Sequence, residues 1–164
     1  MAKEKFIASW SGGKDSTYAF HLACKKGADP VGLLTMLEEE GKYSRSHRLA
    51  TTLLSSQAER LKLPLFLGRA SWENYEAEFV RQLIIARDEC GASAVVFGDI
   101  DIPAHRDWSE QVCNRSDVQM KALFPLWGSD RNAIVRQMIS SGQKMMIVSC
   151  NAQLGEAFLG RELN

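Results

Sequence analysis

The sequence has no apolar run approaching the roughly 18 residues of a membrane span, and its four cysteines lie far apart in the chain. Cys24, Cys90, Cys113 and Cys150 form no Cys-x-x-Cys pair, which excludes the usual zinc and redox spacings and leaves buried thiols as their expected role. Charge of one sign is lacking too: Lys+Arg and Asp+Glu both number 20. A large nucleic-acid footprint normally shows as a basic excess, so nucleic acid is not an expected partner, although clustered Arg45, His47 and Arg48 could meet a phosphate locally. The start, Met1-Ala2-Lys3-Glu4-Lys5, leads directly into a strand without the long apolar region of a signal peptide, so the expected place is the cytoplasm, away from membranes. Repeats, low-complexity tracts and linkers are absent. With 164 residues, 45% of them apolar and 24% charged, the composition excludes disorder and predicts one domain over residues 1–164.

What the chain does have is Ser9-Trp10-Ser11-Gly12-Gly13-Lys14-Asp15-Ser16-Thr17, between an apolar strand ending Phe6-Ile7-Ala8 and a helix predicted over 17–26. The first N–H groups of a helix have no intrahelical partner, and the macrodipole places positive potential there. Gly12 and Gly13 let the backbone come close to phosphate oxygens, Lys14 adds a point charge, and Ser11, Ser16 and Thr17 add hydroxyls. The plain alternative is a tight turn with Asp15 or Ser16 as N-cap. The Walker spacing is missing.

Downstream, Gly27 caps the first helix and 31–37 reads as a strand buried on both faces. A polar loop follows over 38–46, then a helix over 47–61 with Leu49, Leu53, Leu54, Ala58 and Leu61 on one side. A third strand is predicted over 64–67, and an amphipathic helix over 73–90 carries Tyr75, Phe79, Leu83 and Ala86 before Gly91. A fourth strand over 94–97 ends in Gly98-Asp99-Ile100, and Pro103 opens a helix to about 114. Residues 123–127 read as extended, 130–141 as a helix and 144–149 as a last strand. Alternating strands and helices with short connections predict a parallel α/β sheet covered on both faces, its ligand crevice beyond the strands' carboxyl ends where strand order reverses. The glycine loop and Asp99 would then flank one crevice.

Ser11-Gly12-Gly13-Lys14-Asp15-Ser16 resembles the SGGxDS loop of the PP-loop ATP pyrophosphatases. Together with Gln57-Ala58-Glu59, Leu63-Pro64-Leu65, Gly98-Asp99-Ile100, Arg106, Glu110-x-Val112-Cys113, Pro125-Leu126-Trp127 and Leu159-Gly160-Arg161, it resembles the diphthine–ammonia ligase family within that superfamily. The resemblance spans residues 5–163. It implies a Rossmann-like adenine nucleotide α-hydrolase fold with five or six mainly parallel strands, and an AMP-forming amide ligase. Eukaryotic and archaeal members continue beyond the Leu-Gly-Arg segment, whereas this chain stops at Asn164, and Trp108 stands where they more often have a basic residue. Both departures point to a bacterial-type member, for which the ATP chemistry carries over better than the diphthine-bearing substrate.

The site residues expected on that resemblance are Ser9, Ser11, Gly12, Gly13, Lys14, Asp15, Ser16, Met36 and Gly98 for ATP, with backbone near Met36 meeting adenine. Lys14, Asp15 and Asp99 are expected to be catalytic, Asp15 and Asp99 to hold Mg²⁺, and His47, Arg106 and Glu110 to bind substrate. The partners would be ATP, a carboxylate-bearing substrate and ammonia or an amine, with a homodimer left open. Structural alternatives stand beside these roles. Asp99 could cap a turn, Arg106 and Glu110 could pair on a helix surface, Pro125-Leu126-Trp127 could be a packing corner, and His21 and His105 read as surface or capping residues. Two other functions remain in play: a non-catalytic adenine-nucleotide sensor, and an RNA-modifying PP-loop enzyme.

Overall fold

The computed structural model describes residues 3–164; Met1 and Ala2, where the N-terminal reading begins, lie outside them. Strand β1 (Lys5–Ser9) leads into α1 (Lys14–Lys25), then β2 (Asp29–Leu37), α2 (Thr51–Leu61), β3 (Leu65–Arg69), α3 (Tyr75–Cys90), β4 (Ala94–Val96), α4 (Pro103–Cys113), β5 (Lys121–Leu123) and α5 (Arg131–Ser140). The five strands form one parallel sheet in the order β3-β2-β1-β4-β5. This is the doubly wound α/β arrangement of the adenine nucleotide α-hydrolase kind.

The strands are short and apolar at nearly every position because both faces are covered. Successive side chains go to opposite sides. Phe6, Ala8, Leu33, Leu37, Ala94 and Val96 pack with α1, α2 and α5, while Ile7, Leu34, Met36 and Val95 pack with α3 and α4. Among the described residues no helix is long and apolar enough to cross a membrane.

Four local expectations are corrected. Helix α1 begins at Lys14 rather than Thr17, with extended Gly13 as N-cap, so neither Asp15 nor Ser16 caps it. Residues 47–50 are not helical: Arg48 is left-handed (φ 51°), the Ser44 Oγ accepts from the Leu49 N–H at 3.0 Å, and Tyr43 bridges to Ala50. The fifth strand lies at 121–123, and the Trp127 N–H closes a turn onto the Phe124 carbonyl at 3.2 Å. Finally, the last strand shrinks to β6 (Met145–Met146), which leaves the main sheet and pairs antiparallel with β7 (Glu162–Leu163).

Candidate functional site

β1 and β4 are neighbours at the centre of the sheet, and the chain winds from them in opposite directions. Such a reversal is where α/β folds place the ligand crevice, and the loops after β1 and β4 lie there side by side. The two loops touch: a Cβ on Gly98 would stand 2.8 Å from the Ser16 backbone nitrogen and 2.9 Å from the Asp15 carbonyl carbon.

Trp10 anchors the first loop. It is 4% exposed; its N–H donates to the Leu34 carbonyl at 2.7 Å, its own carbonyl accepts from the Thr35 hydroxyl at 2.5 Å, and its indole donates to Gln57 Oε1 at 2.9 Å. Beyond it the backbone turns at Gly12 (φ +74°), where a side chain would also run into Leu49 and Gln57. A Cβ on Gly13 would lie 2.5 Å from His47 Nε2, so the imidazole rests directly on the loop.

The hydroxyls brace this turn. Ser11 and Ser16 meet at 3.0 Å, Ser11 Oγ also accepts from the Gly13 N–H at 3.2 Å, and Ser16 and Thr17 donate to the Gly13 carbonyl at 3.1 and 2.9 Å. From the other side Gln143 donates to the Lys14 carbonyl at 2.9 Å. The N–H groups of Lys14, Asp15 and Ser16 have no protein acceptor among the described residues. That is the donor array an oxyanion needs. Lys14 Nζ lies against its neighbour Asp15 at 2.7 Å, both side chains about a third exposed, so an arriving phosphate can compete for the ammonium.

Across the crevice, burial pushes the Asp99 carboxyl above the usual range, opposed by His105 and by hydrogen bonding from its own backbone, while the negative charge of Asp15 raises it further. His105 Nδ1 lies 3.3 Å from Asp99 Oδ1. Beside this pair the Arg131 guanidinium grips Asp101 through two contacts of 2.6 and 2.7 Å and holds that carboxyl below its usual range. Among the described residues no three His, Cys, Asp or Glu side chains form a metal cage. Asp15 and Asp99 nonetheless share one field, and Mg²⁺ characteristically takes one or two carboxylates together with substrate phosphates.

The structure therefore brings together Ser11–Ser16, His47, Gly98 and Asp99. Of the expected residues, Gly12, Gly13, Lys14, Asp15 and His47 line the cavity beside the loop, and Ser9, Ser11, Ser16, Met36, Gly98, Asp99, Arg106 and Glu110 do not. Met36 is buried, its carbonyl accepting from the Arg45 N–H at 3.0 Å. Arg106 pairs with Glu110 at 2.7 Å and lies over the rings of Phe124 and Trp127. Of the basic cluster only His47 reaches the loop: Arg45 bonds the Ala70 carbonyl and stacks 4.4 Å from the Trp72 ring, and Arg48 faces Glu38. Gln57, Gln143, His105 and Arg131 escaped attention as site residues. Gln57 alone carried a signal, within the Gln-Ala-Glu segment; the others are placed by tertiary packing.

Residues 4–120 match the family described as the diphthamide synthase N-terminal domain. Among curated proteins none matches significantly. The fold is similar to that of a predicted subunit of tRNA methyltransferase from Methanocaldococcus jannaschii, with TM-score 0.50 at 16% identity over 83% of this chain and 75% of that one. It is also similar to the U34-tRNA thiolase NcsA from Methanococcus maripaludis, solved with its [4Fe-4S] cluster, with TM-score 0.52 at 12% identity over 90% of this chain and 61% of the thiolase chain.

Proposed function

The chain belongs to the diphthamide synthase N-terminal domain family, and from that premise we propose that residues 1–164 act as one PP-loop ATP-binding domain catalysing AMP-forming amide ligation, as a diphthine–ammonia ligase-like member. A substrate carboxylate oxygen attacks the α-phosphorus of ATP and the bond to pyrophosphate breaks. Ammonia or an amine then attacks the acyl carbon, AMP departs with the carboxylate oxygen, and one proton is released. The observation that supports this best is the set of N–H groups of Lys14, Asp15 and Ser16 without a protein acceptor among the described residues, in a loop packed against Gly98 beside Asp99 at the strand-order reversal.

In this reading Lys14 and the backbone from Gly12 to Ser16 hold the pyrophosphate, stabilising charge as it leaves. The Ser11–Ser16 and Gln143 contacts keep those donors aimed without reorganisation. Asp15 and Asp99 would hold Mg²⁺, which when bound neutralises phosphate charge. Asp99 also faces where the amine would enter, and His105 fixes its orientation. The test is a screen of carboxylic acids with ATP and ammonia for pyrophosphate release.

An RNA-modifying role is the second reading, because both structural neighbours described above, a predicted tRNA methyltransferase subunit and a tRNA thiolase, are named for work on tRNA. Burial pushes the Cys24 and Cys90 thiols upward and Cys113 to about 12, and the four cysteines form no Cys-x-x-Cys pair. Pyrophosphate release that requires added tRNA rather than a small acid would favour this second reading.

A further inference from the structure

The phosphate loop forms one end of a cavity of about 650 Å³, within the usual size of small-molecule sites. The rest of it runs between α2 and the β6–β7 ribbon, lined by Leu49, Leu53 and Leu61 on one wall and Met146, Val148 and Leu163 on the other. Leu53, Leu61, Met146 and Val148 are 47%, 37%, 57% and 53% exposed. They are four of the nine large apolar side chains exposed among the described residues, gathered in one hollow. Single exposed leucines need no explanation, but a contiguous group beside an anion site does.

We propose that this hollow takes the aliphatic body of the acceptor, making the activated substrate a medium-chain carboxylic acid; the inference rests on the ligase reading above. The cavity is two-ended: Lys14 and the loop that takes the nucleotide's phosphates lie at one end, where a carboxylate would approach the α-phosphorus, and Leu53, Leu61, Met146 and Val148 suit a hydrocarbon chain, with Arg60, Lys144 and Ser149 also in the lining.

The test is calorimetric titration of the full chain with straight-chain carboxylates from butanoate to decanoate, without ATP. Affinity should rise about fourfold per added methylene until the hollow is filled. Leu53→Asp and Val148→Asp, both at exposed positions, should melt like the parent, lose at least about tenfold in decanoate affinity by burying a charge, and retain affinity for a non-hydrolysable ATP analogue. Absence of chain-length dependence overturns the proposal. So does loss of the ATP analogue in these variants, which would place adenine in the hollow, or a parent dimer that the variants dissociate. Chain-length-dependent binding with no pyrophosphate release would refute the ligase reading and leave the hollow's ligand class standing; release driven by acids of any length equally would do the reverse.

Discussion

Replacing Gly98 by alanine probes the contact on which the site depends. The added Cβ would stand 2.8 Å from the Ser16 nitrogen, 2.9 Å from the Asp15 carbonyl carbon and 3.1 Å from the Ser16 Cα. All three are backbone atoms in the first turn of α1, so no side chain can swing aside. Comfortable separations between such atoms are about 3.5 Å or more, so the two loops must part by roughly half an ångström or more. That turn is also tied by Ser11 to Ser16 and by Gln143 to the Lys14 carbonyl. Overpacking of this kind costs about 1–3 kcal/mol, and at this chain length each kcal/mol lowers Tm by about 2–4 °C. A melting temperature lower by roughly 2–12 °C is expected. Misalignment near a reacting centre can cost on the order of 100-fold in rate, and ATP affinity should fall as the N–H array is displaced. Gly27→Ala is the control. Its φ of +94° makes alanine strained, yet nothing lies within 4 Å of the new atom, so it should destabilise without touching ATP affinity. Differential scanning fluorimetry with and without an ATP analogue, beside pyrophosphate release, reads both variants. A Gly98→Ala protein with parental melting temperature and ATP affinity would refute the close-packed crevice.

Two further substitutions separate the roles. Lys14→Ala should leave the melting curve nearly unchanged, because the side chain is about a third exposed and pairs only with its neighbour, while ATP affinity drops and turnover is largely lost; turnover at the parental rate would remove the loop from the mechanism. Asp99→Asn should lose on the order of 100-fold or more in pyrophosphate release if the carboxylate stabilises charge at the reacting centre, whereas a sensor or a plain turn residue would tolerate it. Its stability should move the other way. Burial raises the folded-state pKa of Asp99, so the folded protein binds this proton more tightly than the unfolded chain, and stability falls as pH rises from about 4 through the raised value. The asparagine variant lacks that loss and should melt no lower than the parent at neutral pH; a clearly lower neutral-pH melting temperature would contradict the desolvation argument.

Much of this is legible in the sequence. The order of strands and helices followed from apolar runs punctuated by Gly27, Gly91 and Pro103, and the placing of Lys14 and Asp99 in one crevice followed from parallel topology alone. The errors have local physical causes. Residues 47–50 carry helical spacing but are held as a bridged loop by Ser44 and Tyr43. Residues 144–149 read as a sixth strand because they are apolar, yet that apolar character serves the β6–β7 ribbon and the wall of the hollow. His105 reads as a surface or capping residue and its side chain is indeed 61% exposed, while nothing in its neighbours in sequence signals the aspartate 3.3 Å away. The assignment of backbone near Met36 to adenine rests on the resemblance alone; the Met36 carbonyl accepts from the Arg45 N–H.

The central claim is that a carboxylate oxygen attacks the α-phosphorus of ATP. The most direct measurement supplies ammonia, ATP and the best acid found by screening, the acid labelled with heavy oxygen in its carboxylate, and follows the nucleotide by mass spectrometry. The account predicts AMP carrying one labelled oxygen, with pyrophosphate as the other product. ADP, or AMP without the label, would contradict it.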